Sequence, residues 1–181
     1  LTPIPFHRVE IRGGFWEPVL EMNREALIPY NLEKFRETGH IDNFAKAARL
    51  TPGRFRGQVY SDSDVYKVIE GASYYLKLQP DNSLENRVHA FIPDIDAAQK
   101  EDGYLYTPRS LPPEQLHEYC GNQRWSHRYS HELFNAGHLY EAAVARNEMT
   151  GERDLLDIAI RNADLLCEVF GPGKHFLSNH P

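Results

Sequence analysis

Apolar residues change their period once along this chain. Over 4–11, Ile4, Phe6, Val9 and Ile11 alternate imperfectly with polar positions and stop before Gly13-Gly14. Such alternation puts one face of an extended chain against a core, so it predicts a short β-strand. Beyond it the spacing is helical. Phe15 and Trp16 lead into a predicted helix over 17–38, which Pro29 should kink or split. Proline lacks an amide hydrogen, and its ring crowds the preceding turn. Gly39 is placed to end that helix, and 43–49 can form one short helix before Thr51-Pro52-Gly53.

Val65, Ile69, Ala72 and Leu76 recur at intervals of four, three and four, predicting a helix over 61–79. Asp62 and Asp64 fall in its first turn, where the helix dipole favours acids. Ser83 is placed to cap a helix over 83–101, which Pro93 should bend near residue 90. Two more helices are expected over 131–149 and 153–170, joined at Thr150-Gly151 and ended by Gly171-Pro172-Gly173. Residues 102–130 hold Pro108, Pro112, Pro113 and Gly121 with little periodicity, a connection unusually long unless it is a functional loop. The pattern therefore predicts an all-α body of antiparallel helix pairs with a short N-terminal strand. It contains no βαβ units and no solenoid consensus.

Composition narrows function mainly by exclusion. With 181 residues, 41% of them apolar, the chain can fill one sizeable core. It carries 20 basic against 26 acidic residues and no basic run, which argues against nucleic acid or an anionic membrane as partner. No stretch approaches the ~20 apolar residues of a membrane span. No signal-peptide pattern is visible at the N-terminus, so a cytoplasmic location is expected. Cys120 and Cys167 lack the close spacing of a zinc knuckle, and Cys167 is expected to be buried among Leu165, Leu166 and Val169.

The polar groups that remain gather where predicted helices begin or end, which suggests a common rim able to hold a polyhydroxylated ligand. His131, Asn135 and His138, at i, i+4 and i+7, share one helix face. Imidazole and amide both donate and accept, as hydroxyl recognition requires. The alternative is that His131 caps the helix and His138 is a satisfied core histidine; as a zinc signal the spacing is weak. Asp62 and Asp64, two residues apart, do not face each other, so Ser61 or Asp62 is read as a helix cap, not as part of an acid/base pair. Lys67 and Glu70 can pair on the surface. Asp102-Gly103-Tyr104 reads as a turn, which as a ligand loop would offer Tyr104 to a sugar face. No Ser-His-Asp series, P-loop, dinucleotide fingerprint or CxxC pair is present. No two carboxylates can be nominated for the roughly 5 Å separation of a retaining glycosidase.

Phe55-Arg56-Gly57, Ser61-Asp62-Ser63-Asp64-Val65-Tyr66-Lys67-Val68-Ile69-Glu70, Ala98-Gln99-Lys100-Glu101-Asp102-Gly103-Tyr104-Leu105, Ser130-His131-Glu132-Leu133 and Gly137-His138-Leu139-Tyr140-Glu141-Ala142-Ala143 follow one another in this order. They resemble the β-L-arabinofuranosidases of glycoside hydrolase family 127. The resemblance implies an (α/α)6 toroid, of which 15–181 would be the N-terminal half, preceded by the strand segment 1–14. It implies a carbohydrate substrate, with His131 and His180 as hydroxyl contacts. At the second, Asn179 stands where the family's phrase has Gly. The family's thiolate nucleophile, acid/base Glu and Cys/Glu zinc ligands come later in its sequence. No catalytic residue or metal ligand is therefore expected here, zinc is expected in the rest of the family's catalytic domain, and this segment alone should be inactive. Oligomeric state is left open. A non-catalytic helical carbohydrate-binding or interaction module is the competing reading.

Overall fold

The structure, a computed structural model, describes residues 2, 4–112 and 116–174. Among these residues the helices are α1 (Trp16–Met22), α2 (Ile28–Glu37), α3 (His40–Ala47), α4 (Ser61–Leu78), α5 (Asn82–His89), α6 (Ile92–Ala98), α7 (Glu132–Thr150) and α8 (Asp154–Val169). The all-α expectation holds. The strand over 4–11 does not form: Phe6–Arg8 make a single 3-10 turn, and the flanking residues have no strand partner among the described residues. A lone strand has nowhere to place its backbone donors and acceptors. Phe6 packs edge-on against Tyr74 of α4 instead, with ring centroids 5.4 Å apart.

Both prolines interrupt their helices as expected, Pro29 by a split and Pro93 near residue 90. Asn23–Leu27 is a π-helical turn, in which the Ile28 amide bonds to the Asn23 carbonyl five residues back. The wider turn makes room for Pro29, which then sits in the first turn of α2. Pro93 likewise begins α6, so the predicted helix over 83–101 is two helices, not one bent rod. Its cap is Asp81, not Ser83: the Asp81 carboxylate accepts from the amides of Ser83 and Leu84 at 2.9 and 3.0 Å.

The helices form two layers. α4 and α7 have the most extensive contact, and they run parallel, not antiparallel. Their first turns meet where Ser63 bonds to Asn135, while further along the Glu70 carboxyl feels Glu141 and His138, and the Tyr74 phenol feels Glu148. The other helices run the opposite way. α5 follows α4 after a short turn, and α8 follows α7 through Gly151-Glu152-Arg153. His89 reaches Asp154, and Arg161 reaches Asp96, so α5–α6 and α8 run side by side. Alternation of outer and inner helices, with parallel inner ones, is what part of an (α/α)6 toroid requires. It also brings the polar starts of α4 and α7 to one rim.

One apolar core lies between the layers. Val65, Ile69 and Ala72 of α4 meet Leu139, Ala142 and Ala143 of α7 there, with Val88, Ile95, Leu155 and Ile158 from the outer helices. Arg146 is fully buried among them. Its guanidinium binds Asp154 at 2.8 and 2.9 Å and Glu85 at 2.9 Å, tying α5, α7 and α8 together. Burial would raise the Asp154 carboxyl, but the hydrogen bonds from Arg146, the Leu155 amide and His89, with the charge of Arg146, together hold the group below its ordinary range. Cys120 is buried. Cys167, expected to be buried, is exposed, because Leu165 already occupies the inward face of α8 and a residue two places on points elsewhere.

Candidate functional site

Four polar clamps shape the rim at the starts of α4 and α7. Asn43, on the inward stripe of α3, donates to the Arg56 carbonyl at 2.8 Å and accepts from the Arg56 amide at 3.0 Å, fixing the Phe55-Arg56-Gly57 turn. Asp62 accepts from the Thr107 hydroxyl at 2.5 Å and the Thr107 amide at 2.8 Å. It therefore anchors the segment after α6 instead of capping its own helix. Burial pushes its carboxyl up to about 6 despite those bonds. Nor is Ser61 a cap; its Oγ accepts from the Gln58 amide at 2.9 Å. The Ser63 amide, which donates to the Tyr60 carbonyl at 3.0 Å, also reaches α7, where Asn135 Oδ1 accepts at 2.8 Å and Asn135 Nδ2 donates to the carbonyls of Val59 and His131.

The fourth clamp is Glu132, the first residue of α7 and only 3% exposed. Its carboxylate accepts from the Tyr104 hydroxyl at 2.5 Å, and from the Trp125 amide and the Ser130 hydroxyl at 2.8 Å each. Tyr106 adds a bond from its hydroxyl to the Ser130 carbonyl. The 102–130 connection is thus pinned, and it contains the 3-10 turns Thr107–Arg109 and Glu118–Cys120. Tyr104 is buried behind Glu132, so it is not offered to a sugar.

These clamps hold His131 at the head of α7 in a left-handed backbone conformation, φ 58°. Its ring is half-buried, edge-on to Tyr60 at 5.6 Å and to Phe134 at 5.8 Å. Nδ1 lies 2.7 Å from the Tyr129 carbonyl. A carbonyl only accepts, so Nδ1 carries the proton and neutral His131 keeps a lone pair on Nε2. Among the described residues Nε2 has no hydrogen-bond partner. The stripe read from the sequence therefore divides three ways. His131 faces the rim, Asn135 is a buried clamp, and His138 packs edge-on to Phe134 at 4.6 Å with Glu141 2.9 Å from its Nδ1. That last approach lacks hydrogen-bond alignment. Lys67 turns towards Ser63 (3.2 Å) and Asp64 (3.8 Å) and lies over the Phe134 ring, leaving Glu70 aside. His40 approaches Asp64 from the opposite side at 3.7 Å.

The rim therefore offers hydroxyl-binding groups (the His131 imidazole, Lys67, Asp64) beside aromatic faces (Tyr60, Phe134). It does not offer a free acid/base pair. Asp62 and Glu132 are consumed by their donors. Burial pushes the Cys120 thiol up to about 11, which leaves little thiolate at neutral pH. Among the described residues no three His, Cys, Asp or Glu side chains group as metal ligands. The described residues do not fit a zinc ion.

Three comparisons relate the chain to known proteins. The family described as "Beta-L-arabinofuranosidase, GH127 catalytic domain" matches residues 8–180. The chain belongs to this family. A GH127 β-arabinofuranosidase of known structure is 40% identical and superposes on 99% of the chain with a TM-score of 0.92; the match covers 29% of that structure. A GH127 β-L-arabinofuranosidase from Geobacillus stearothermophilus T6 is 37% identical over 91% of the chain and 26% of its own, with a TM-score of 0.83. A curated relative, the non-reducing end β-L-arabinofuranosidase of Bifidobacterium longum subsp. longum, is 38% identical over 96% of this chain. The chain spans 29% of that relative's length, so it corresponds to one part of a GH127 protein. Of the two positions the GH127 resemblance marks as sugar contacts, His131 stands at the rim and His180 lies outside the described residues. Among the described residues no helix is long and apolar enough to cross a membrane.

Sequence reasoning missed Asn43, Thr107 and Asn162 as supports of this site. Asn162 donates to the Gly103 carbonyl at 2.9 Å and accepts from Tyr140, closing the Asp102-Gly103-Tyr104 turn onto α8. The available signal was an amide on the apolar stripe of a helix. Asn43 sits among Ile41, Phe44 and Ala47, and Asn162 among Ile158, Ala159 and Leu165.

Proposed function

We propose that the protein containing this chain is a glycoside hydrolase that releases terminal β-L-arabinofuranosyl units from plant-derived glycans or related conjugates. The observation that carries the reading is the superposition of 99% of the chain on a GH127 β-arabinofuranosidase at 40% identity. In that reading His131 accepts a hydrogen bond from a sugar hydroxyl through Nε2, and His180 makes a second contact. This segment supplies half of the substrate cradle. As the family resemblance implies, the nucleophile, the acid/base carboxylate and the zinc would come from the remainder of the catalytic domain, while Asp62 and Glu132 here hold loops. The net charge of −6 disfavours nucleic acid as a partner.

The test is hydrolysis of an aryl β-L-arabinofuranoside by the full-length protein, with the α-anomer and an aryl galactoside as comparisons. Selective release from the β-L-arabinofuranoside supports the assignment. Release from another glycoside alone would reassign the sugar. Inactivity on all of them, with arabinofuranosides still bound, would favour a non-catalytic carbohydrate-binding module.

A further inference from the structure

Beyond His131 the rim continues as a strip of rings that no clamp explains. Tyr119 and His127 stack at 5.6 Å with an interplanar angle of 14°, and Tyr129 tilts against both, at 6.4 and 5.8 Å. His117 joins the strip through Tyr119 and meets Phe55 edge-on at 6.2 Å. The Arg128 guanidinium lies 4.7 Å from the centre of the Tyr129 ring. These rings pack on one another, not on the core: Tyr119 is 42% and Tyr129 49% exposed. Short local bonds hold their backbones, from the Tyr119 amide to His117 Nδ1 and from the Tyr129 amide to His127 Nδ1. The strip is also coupled to His131, whose Nδ1 donates to the Tyr129 carbonyl.

We propose that Tyr119, His127 and Tyr129 form a platform for the second sugar of the substrate, on the leaving-group side of the bond that is cleaved. The inference rests on the glycosidase reading above. An enzyme that removes one terminal sugar needs a pocket for that sugar alone, so carbohydrate-binding surface outside the pocket meets the leaving group. Tyrosine faces suit this task. Their electron-rich rings accept the polarised C–H bonds of a furanose or pyranose face, while Arg128 beside Tyr129 can donate to sugar hydroxyls.

The test compares two substrates with the full-length protein: methyl β-L-arabinofuranoside, whose leaving group is too small to reach the platform, and a disaccharide with a β-L-arabinofuranosyl unit on a second arabinofuranose. Tyr119→Ala and Tyr129→Ala should raise KM for the disaccharide about tenfold while changing the methyl glycoside far less. Tyr119→Phe and Tyr129→Phe, which keep the ring, should stay near wild type on both. Equal losses on both substrates would overturn the platform and leave the rings as props for the His131 loop. Unchanged KM for the disaccharide would also overturn it. A wild-type protein inactive on both substrates would remove the glycosidase reading itself, and the platform with it.

Discussion

Asn135 of α7 caps α4. Its Oδ1 accepts from the Ser63 amide at 2.8 Å, taking the place of an N-cap side chain that α4 does not supply for itself. Because the same side chain also donates to the carbonyls of Val59 and His131, one residue sets the register of two parallel helices and the position of the rim. Asn135→Ala would take the Nδ2 donor from the buried Val59 carbonyl and leave the Ser63 amide with the Tyr60 carbonyl alone, at a cost of about 1–3 kcal/mol. Equilibrium urea unfolding should show that loss. A change below about 0.5 kcal/mol would mean that water replaces the side chain.

Gly103 is held by geometry on two counts. Its φ is +88°, and a Cβ there would lie 2.2 Å from the Arg161 carbonyl oxygen, a backbone atom of α8 that cannot turn aside. Gly151 has nearly the same φ, +86°, with open space around it. Gly151→Ala should cost about 1–2 kcal/mol, the strain of a left-handed alanine. Gly103→Ala should cost clearly more, because overpacking adds about 1–3 kcal/mol. Similar unfolding midpoints for the two variants would show that α8 can yield.

Helix positions were legible because each of the longer helices buries an apolar stripe large enough to impose the 3.6-residue period: Val65, Ile69, Ala72 and Leu76 are all buried as the spacing requires. The parallel course of α4 and α7 was not legible. Local period fixes what a helix buries, not which way its neighbour runs. Polar residues misled for a related reason. Asp62 and Asn135 look like ligand-facing or capping groups in one dimension, yet their partners, Thr107 and Ser63, lie 45 and 72 residues away. The strand over 4–11 failed similarly, since alternation shows a preference that only a neighbouring edge can realise. His131 was found through a phrase, whereas the ring strip over 117–129 was hidden in a segment without periodicity.

Asp62 should make stability depend on pH. Burial raises its carboxyl from 3.8 to about 6, so between these values the folded state binds more protons than the unfolded state. Its contribution is therefore fully present below about 4 and is lost as pH rises through 6, up to about 3 kcal/mol for a shift of roughly two units. Asp62→Asn keeps the shape and removes the titration. The stability difference between this variant and wild type should change between pH 4 and pH 7, in favour of the variant at the higher pH. A constant difference would show that the carboxylate is already comfortable when charged.

His131 is best tested with asparagine, because its left-handed backbone, φ 58°, suits Asn, whereas Ala there would add about 1–2 kcal/mol of strain unrelated to the imidazole. In the native rim the Tyr129 carbonyl fixes the proton on Nδ1 and leaves Nε2 as an acceptor, with Tyr60 and Phe134 holding the ring edge-on. A sugar hydroxyl that donates to Nε2 would lose that bond in His131→Asn, whose shorter side chain cannot reach the same point. A lost hydrogen bond of about 1–2 kcal/mol corresponds to roughly a 5- to 30-fold fall in kcat/KM on a β-L-arabinofuranoside. Stability should stay within about 1 kcal/mol, since the ring is only half-buried and Asn135, not His131, carries the clamp between the helices. A variant that unfolds readily yet turns over normally when folded would make His131 a structural residue of the α7 start, and the sugar contact would have to be sought elsewhere on the rim.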